Sequence, residues 1–259
     1  MFSQLMKRIA AAAELPPPWS AWGAIGAMLA SFLAIIIGSA ISIIIGDSQY
    51  TPLLGWSLGG VLIIAFVWFT RRAPRYWSSL WNNASDSQPS SNPTQNIFWY
   101  LLIGVGLAIL LDLIGRGIIG QIIPDPELFT LYGYVQLYGQ PVLGISWVLV
   151  ILFMVVLQPL AEGLVFQGML LPSLRATVSP WAGFILAVAA YTMFHFVTYQ
   201  SSSITNTTVL IWIGVLQPLI SGLIFAAVRV YTGSTRAAIL THMAFGLFAV
   251  IKLLTLVSR

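Results

Sequence analysis

The chain has 259 residues, of which 58% are hydrophobic and only 7% charged, with a formal net charge of +4 and a mean hydropathy of +0.91. A soluble domain carries roughly 25% charged residues, so the composition excludes a large soluble fold and indicates a polytopic membrane protein. The absence of cysteine excludes disulfides and thiolate metal sites, and basic residues scattered between apolar runs argue against nucleic acid as a partner.

Residues 1–15 carry Lys7, Arg8 and an alanine run, and read as an amphipathic helix at the membrane surface. They lack a short apolar core with a small-residue cleavage site, so no cleaved signal peptide is expected. Pro16, Pro17 and Pro18 end this segment. The first span is expected over 19–45, with Trp19 and Trp22 as interfacial anchors. A polar turn, Gly46-Asp47-Ser48, leads to a second span over 52–70 that stops at Arg71-Arg72. Residues 78–96, rich in Ser, Asn, Asp, Gln and Pro, read as a mobile linker.

The third span covers 97–119. Its Asp112 and Arg116 lie four apart, in the order that favours an ion pair on one helical face. Residues 120–140 read as a loop with Asp125, Glu127 and several tyrosines. Residues 1–140 thus hold three spans, and residues 141–259 form a core of four, over 141–171, 180–199, 207–231 and 237–256. The fold class is all-α, a transmembrane bundle of about seven spans. Loop charges orient it. With the N-terminus cytoplasmic, Lys7, Arg8, Arg71, Arg72, Arg75, Arg175, Arg229 and Arg236 fall inside, and only Arg116, Lys252 and Arg259 outside. Val156-Leu157-Gln158-Pro159-Leu160 recurs as Val215-Leu216-Gln217-Pro218-Leu219. Each proline should kink its helix. The match is short, and coincidence in a small apolar alphabet is the favoured reading.

Glu162 is the single acid of the four-span core, and His195 and His242 are the only histidines of the chain. Each sits in a different apolar run, where an ionisable residue points to function. Tyr191 shares a helical face with His195, Phe166 with Glu162, and Gly246 with His242. Gly163, Gly168 and Gly222 would let helices approach closely. A glutamate beside imidazoles can act as general base on water. The same three residues could instead ligate zinc, or form an interhelical hydrogen-bond cluster. A small transporter would also place such residues near the midplane, but no full-length repeat supports one.

Glu162-Gly163-Leu164-Val165-Phe166-Gln167-Gly168, Tyr191-Thr192-Met193-Phe194-His195 and the Gly233-Ser234 turn leading to His242 resemble, in order and spacing, the three motifs of the CAAX-protease and bacteriocin-processing (CPBP, or Abi) membrane proteases. The resemblance covers about residues 150–257. It implies an all-helical bundle with its site in a membrane cavity and intramembrane proteolysis without a metal cofactor. It makes Glu162 the residue that activates water, His195 its assistant, and His242 the donor to the oxyanion. The implied partners are membrane lipids and a peptide or membrane-protein substrate. The chain departs from the pattern at three positions. Gly163 stands for a second glutamate, Gln167 for an arginine, and Gly246 for an Asn or Asp. Tyr191, Gln167 and Gly246 are therefore supporting positions, and Gly246→Asn is expected to raise activity by restoring the missing partner. The alternative implied by these departures is an inactive, immunity-type membrane protein that binds a peptide in the same cavity.

Overall fold

The computed structural model describes residues 2–11, 16–46, 51–81, 93–119, 145–198 and 206–257. Among them the architecture is helical, in the order α1 (Phe2–Ala10), α2 (Ala21–Ile45), α3 (Thr51–Arg71), α4 (Pro74–Trp81), α5 (Pro93–Ile119), α6 (residues 145–177), α7 (Pro180–Thr198), α8 (Thr207–Thr232) and α9 (Thr235–Val257). Seven of these are long and apolar enough to cross a membrane, matching the seven spans expected. Two boundaries differ from expectation. The supposed linker 78–96 is helical at both ends, in α4 and in the first turn of α5, because Pro74 and Pro93 each occupy a helix-opening position where the missing N–H is harmless. The fourth span continues to Thr177 rather than stopping at Leu171. The centre of the linker, the loops around 120–144 and 199–205, and Asp47-Ser48 lie outside the described residues.

α6 runs through the middle of the bundle and packs against α2, α3, α4, α7, α8 and α9. It is not a uniform helix. Its segments Leu152–Leu157 and Gly163–Leu170 are π-helical, as is Trp212–Leu216 in α8. Each π segment ends two residues before a proline, just ahead of the pairs Gln158-Pro159, Leu171-Pro172 and Gln217-Pro218. At each junction the backbone N–H donates to the carbonyl five residues back: Gln158 to Phe153, Leu171 to Phe166 and Gln217 to Trp212. A proline ring collides with the carbonyl four residues before it. Widening the preceding turn relieves the collision, and such π segments occur preferentially at functional sites. The two Gln-Pro sequences therefore share one local geometry.

Small residues set the helix spacing. α2 and α3 meet where Gly55 and Gly59 form a GxxxG step. A Cβ on Gly38 would lie 2.3 Å from the Gly55 carbonyl oxygen, so only glycine permits this approach. α5 meets α9 in the same way: a Cβ on Gly104 would lie 2.1 Å from the Thr241 carbonyl oxygen. The outer faces of α2 and α5 expose Ile43, Ile44, Leu102 and Leu113, as a surface solvated by lipid requires.

One end of the bundle is closed by α1 and α4. Arg175 Nη2 donates to the carbonyls of Arg8, Ile9 and Ala11 at 2.9, 3.2 and 3.0 Å, holding the open C-terminus of α1. Arg8 lies over the Tyr231 ring at 5.2 Å. Trp19 Nε1 donates to Ser173 Oγ at 2.9 Å, and Thr235 Oγ1 donates to the Leu80 carbonyl at 2.6 Å. Arg71 and Arg236 stack on Trp19 and Trp81. The basic residues placed on one side by loop counting thus include a set gathered at one end of the bundle. At the opposite end, Asp112 pairs with Arg116 at 2.7 Å, as its spacing foretold. It also pairs with Lys252 of α9, a partner that local spacing could not reveal.

Candidate active site

Glu162 closes a short α-helical turn, Gln158–Glu162, held between the two π segments of α6. It is 1% exposed. His195, near the end of α7, places Nε2 3.0 Å from Glu162 Oε2, hydrogen-bond distance. With the carboxylate ionised, the imidazole is the donor. Pairing is what makes a carboxylate tolerable at this depth.

Tyr191, one turn before His195, is fully buried. Its ring centroid lies 4.6 Å from that of His195 and 6.4 Å from that of His242. A Cβ on Gly222 of α8 would come within 2.7 Å of Tyr191 Cδ1, so the absence of a side chain there makes room for the ring. Phe166 meets Tyr191 edge to face at 5.4 Å. His242 enters from α9 after the turn at Gly233, whose φ of 70° is the left-handed conformation glycine adopts without strain. Its ring stacks on Phe225, with centroids 4.4 Å apart and planes at 24°.

His195, His242 and Tyr191 line one small cavity, with Gly246 in its wall. Glu162 sits behind His195 and reaches the cavity through it. Gln158 and Gln217, the repeated Gln-Pro glutamines, also line the cavity. Sequence reading missed them as site residues, although the repeat was visible and an amide inside an apolar span is a signal in its own right.

The supporting positions fare differently. Tyr191 is at the centre of the site. Gln167 faces a smaller cavity on another side of the Tyr191 ring, away from the two histidines. At Gly246 an added Cβ would lie 2.1 Å from the Met154 carbonyl oxygen and 3.0 Å from its carbon. This corrects the expectation that asparagine there would restore a missing partner: the position has no room for a side chain, because α6 and α9 touch backbone to backbone. Gly163 is filled similarly. Its Cβ would lie 2.2 Å from Ile239 Cγ1, so α9 occupies the volume a second glutamate would need. Gly168 packs against Leu80. Among the described residues no three His, Cys, Asp or Glu side chains gather as a metal-ligand group, so the donor set does not fit a zinc site.

Residues 144–248 match the family model described as type II CAAX prenyl endopeptidase Rce1-like. No curated protein matches the chain, and no solved structure does.

Proposed function

We propose, from the premise that residues 144–248 form an Rce1-like domain, that the chain is an intramembrane endopeptidase in which Glu162 activates water. The observation that carries this reading is the buried 3.0 Å contact between Glu162 and His195, opening on a cavity that also holds His242. In the reaction, the water oxygen attacks the peptide carbonyl carbon while its proton passes to the Glu162–His195 pair. His242 donates to the resulting oxyanion. The carbon–nitrogen bond then breaks, and the proton held by the pair moves to the leaving amine. General base catalysis requires hydrogen-bond reach, and His195 at the cavity wall supplies the link between Glu162 and a bound water.

Cleavage of a membrane-tethered peptide library by the protein in liposomes tests this reading. The parent is expected to cut, and His242→Ala to cut about 10²–10³-fold more slowly, the usual loss for one oxyanion donor. A second reading, binding of a peptide without hydrolysis, is favoured by the backbone packing at Gly246 and by Ile239 filling the space beside Gly163, since neither family partner is present or has room. It expects an intact library after prolonged incubation with the parent.

The lipid-facing apolar surfaces support membrane lipids as the surroundings, and the match to a peptidase family model supports a peptide as substrate. The gathering of Arg8, Arg71, Arg175 and Arg236 at one end supports a cytoplasmic N-terminus under the positive-inside bias. Reporter fusions after Arg75 and after Arg175 are both expected to read cytoplasmic; an external reading at either overturns this orientation.

A further inference from the structure

α3 is 21 residues long, about 31 Å at the rise of an α-helix, which matches the hydrocarbon thickness of a bilayer. Its last turn therefore reaches one membrane interface. There the chain turns a corner into α4, and the corner carries Arg71, Arg72 and Arg75. Arg71 is turned inwards, 5.8 Å from the centres of both the Trp19 and the Tyr76 ring. Arg72 and Arg75 are exposed. Arg72 lies 5.9 Å from the centres of the Trp68 and Phe69 rings, which meet edge to face and are themselves 46% and 62% exposed on the outer face of α3. A guanidinium on an exposed aromatic pair presents charge at the level of the headgroups, with apolar surface directly beside it. Trp22, exposed at the start of α2, marks the same level on the neighbouring helix, since Arg71 Nη2 lies 3.4 Å from the place a Cβ would take on Gly23.

The protein does not neutralise these cations. Asp112 and Glu162 are committed elsewhere, to Arg116 and Lys252 and to His195. Asp47, Asp125 and Glu127 fall where the chain joins helices at the other end of the bundle. The sequence leaves only Glu14 and Asp86 for this end, and however those two are placed, the three arginines of the corner outnumber them. We propose that the α3–α4 corner seats an anionic phospholipid, whose phosphate meets Arg72 and Arg75 and whose acyl chains lie on Trp68 and Phe69. Free phosphate offers nothing to the two rings, and a zwitterionic lipid brings its own cation to an already positive corner, whereas an anionic headgroup is drawn by each basic residue near the surface. The seat depends neither on peptide cleavage nor on which side of the membrane α1 faces.

The chain has no cysteine, so one introduced cysteine carries the only label. The test uses full-length protein with a fluorophore at Ser78→Cys, exposed on α4 and one turn from Arg75, in phosphatidylcholine liposomes. A small fraction of the lipid carries a nitroxide on its acyl chain and is either phosphatidylglycerol or phosphatidylcholine. Quenching is expected to give the phosphatidylglycerol probe an association constant about fivefold higher, the scale of one basic residue near a membrane surface. The same fluorophore at Gly117→Cys, at the other end of the bundle where an added Cβ meets nothing within 4 Å, is expected to show no preference. The ratio compares two lipids on one preparation, so the fraction of protein that folds does not enter it. It should fall towards one when Arg72 and Arg75 are both replaced by Gln, and persist when both are replaced by Lys. Replacing Lys7 and Arg8 by Gln removes as much charge from the same end and should leave it nearly unchanged.

A ratio of one at the Ser78 label overturns the proposal. So does an equal preference at the Ser78 and Gly117 labels, or a ratio that falls as far without Lys7 and Arg8 as without Arg72 and Arg75, because the field of the whole basic end then gathers the lipid and the corner is no seat. Inorganic phosphate added at constant ionic strength should leave the preference intact; its loss would assign the corner to the free anion.

Discussion

Glu162→Gln is expected to slow peptide cleavage by about 10²–10⁴-fold, the contribution general acid–base catalysis usually makes, while leaving the fold intact. The amide has the shape of the carboxylate and can still accept from His195 Nε2 across the 3.0 Å contact. It cannot take a proton from water. No other carboxylate can replace it, because Glu162 is the only acid in residues 141–259. His195→Ala should lose a comparable factor through a different route. It removes the imidazole that faces the cavity and leaves the glutamate with neither its partner nor its link to bound water. Cleavage of the tethered peptide library by each variant, normalised to folded protein, measures both. A Glu162→Gln protein that cuts as fast as the parent would end the glutamate mechanism.

The spans were legible in the sequence because their signal is additive: twenty apolar residues need no knowledge of their neighbours. The same holds for Asp112 and Arg116, whose pairing is set by one helix. Glu162, His195 and His242 were singled out because ionisable residues are so rare in the four-span core that each draws notice. What stayed hidden depends on contacts between segments. Lys252 meets Asp112 across 140 positions of chain, and nothing local marks it as a partner. Gln158 and Gln217 stood in a visible repeat, yet only the fold brings both to one cavity. The π segments were hidden for another reason. A proline announces disturbance in a helix, but whether the chain kinks or widens depends on what the neighbouring helices accept. The glycines were the most misleading residues. Read against a family pattern, Gly163 and Gly246 are vacancies left by lost side chains. In the structure their places are filled, by Ile239 and by the Met154 backbone.

Gly246→Asn is accordingly expected to lower activity, the opposite of what restoring a missing partner would do. The first atom added, Cβ, would lie 2.1 Å from the Met154 carbonyl oxygen, and backbone cannot swing aside as a side chain can. α6 and α9 must separate, and overpacking of that sort costs about 1–3 kcal/mol, occasionally more. The site would be disturbed with the packing. Met154 lies in the π segment that precedes Gln158 and Glu162, and Gly246 follows His242 by one turn, so separating the two helices moves the general base and the oxyanion donor apart. A shift of about 1 Å between positioned groups can lose 10²-fold in rate. Gly246→Ala carries the same Cβ without a polar group, and should lower the thermal unfolding temperature in detergent and the cleavage rate nearly as much. That pair of variants separates the two explanations. If asparagine restores activity while alanine removes it, the amide is finding room as an oxyanion partner and the backbone contact at Met154 yields. If both fall together, Gly246 is there for helix approach, and the polar help that His242 needs must come from another residue lining the cavity, for which Gln158 and Gln217 are placed.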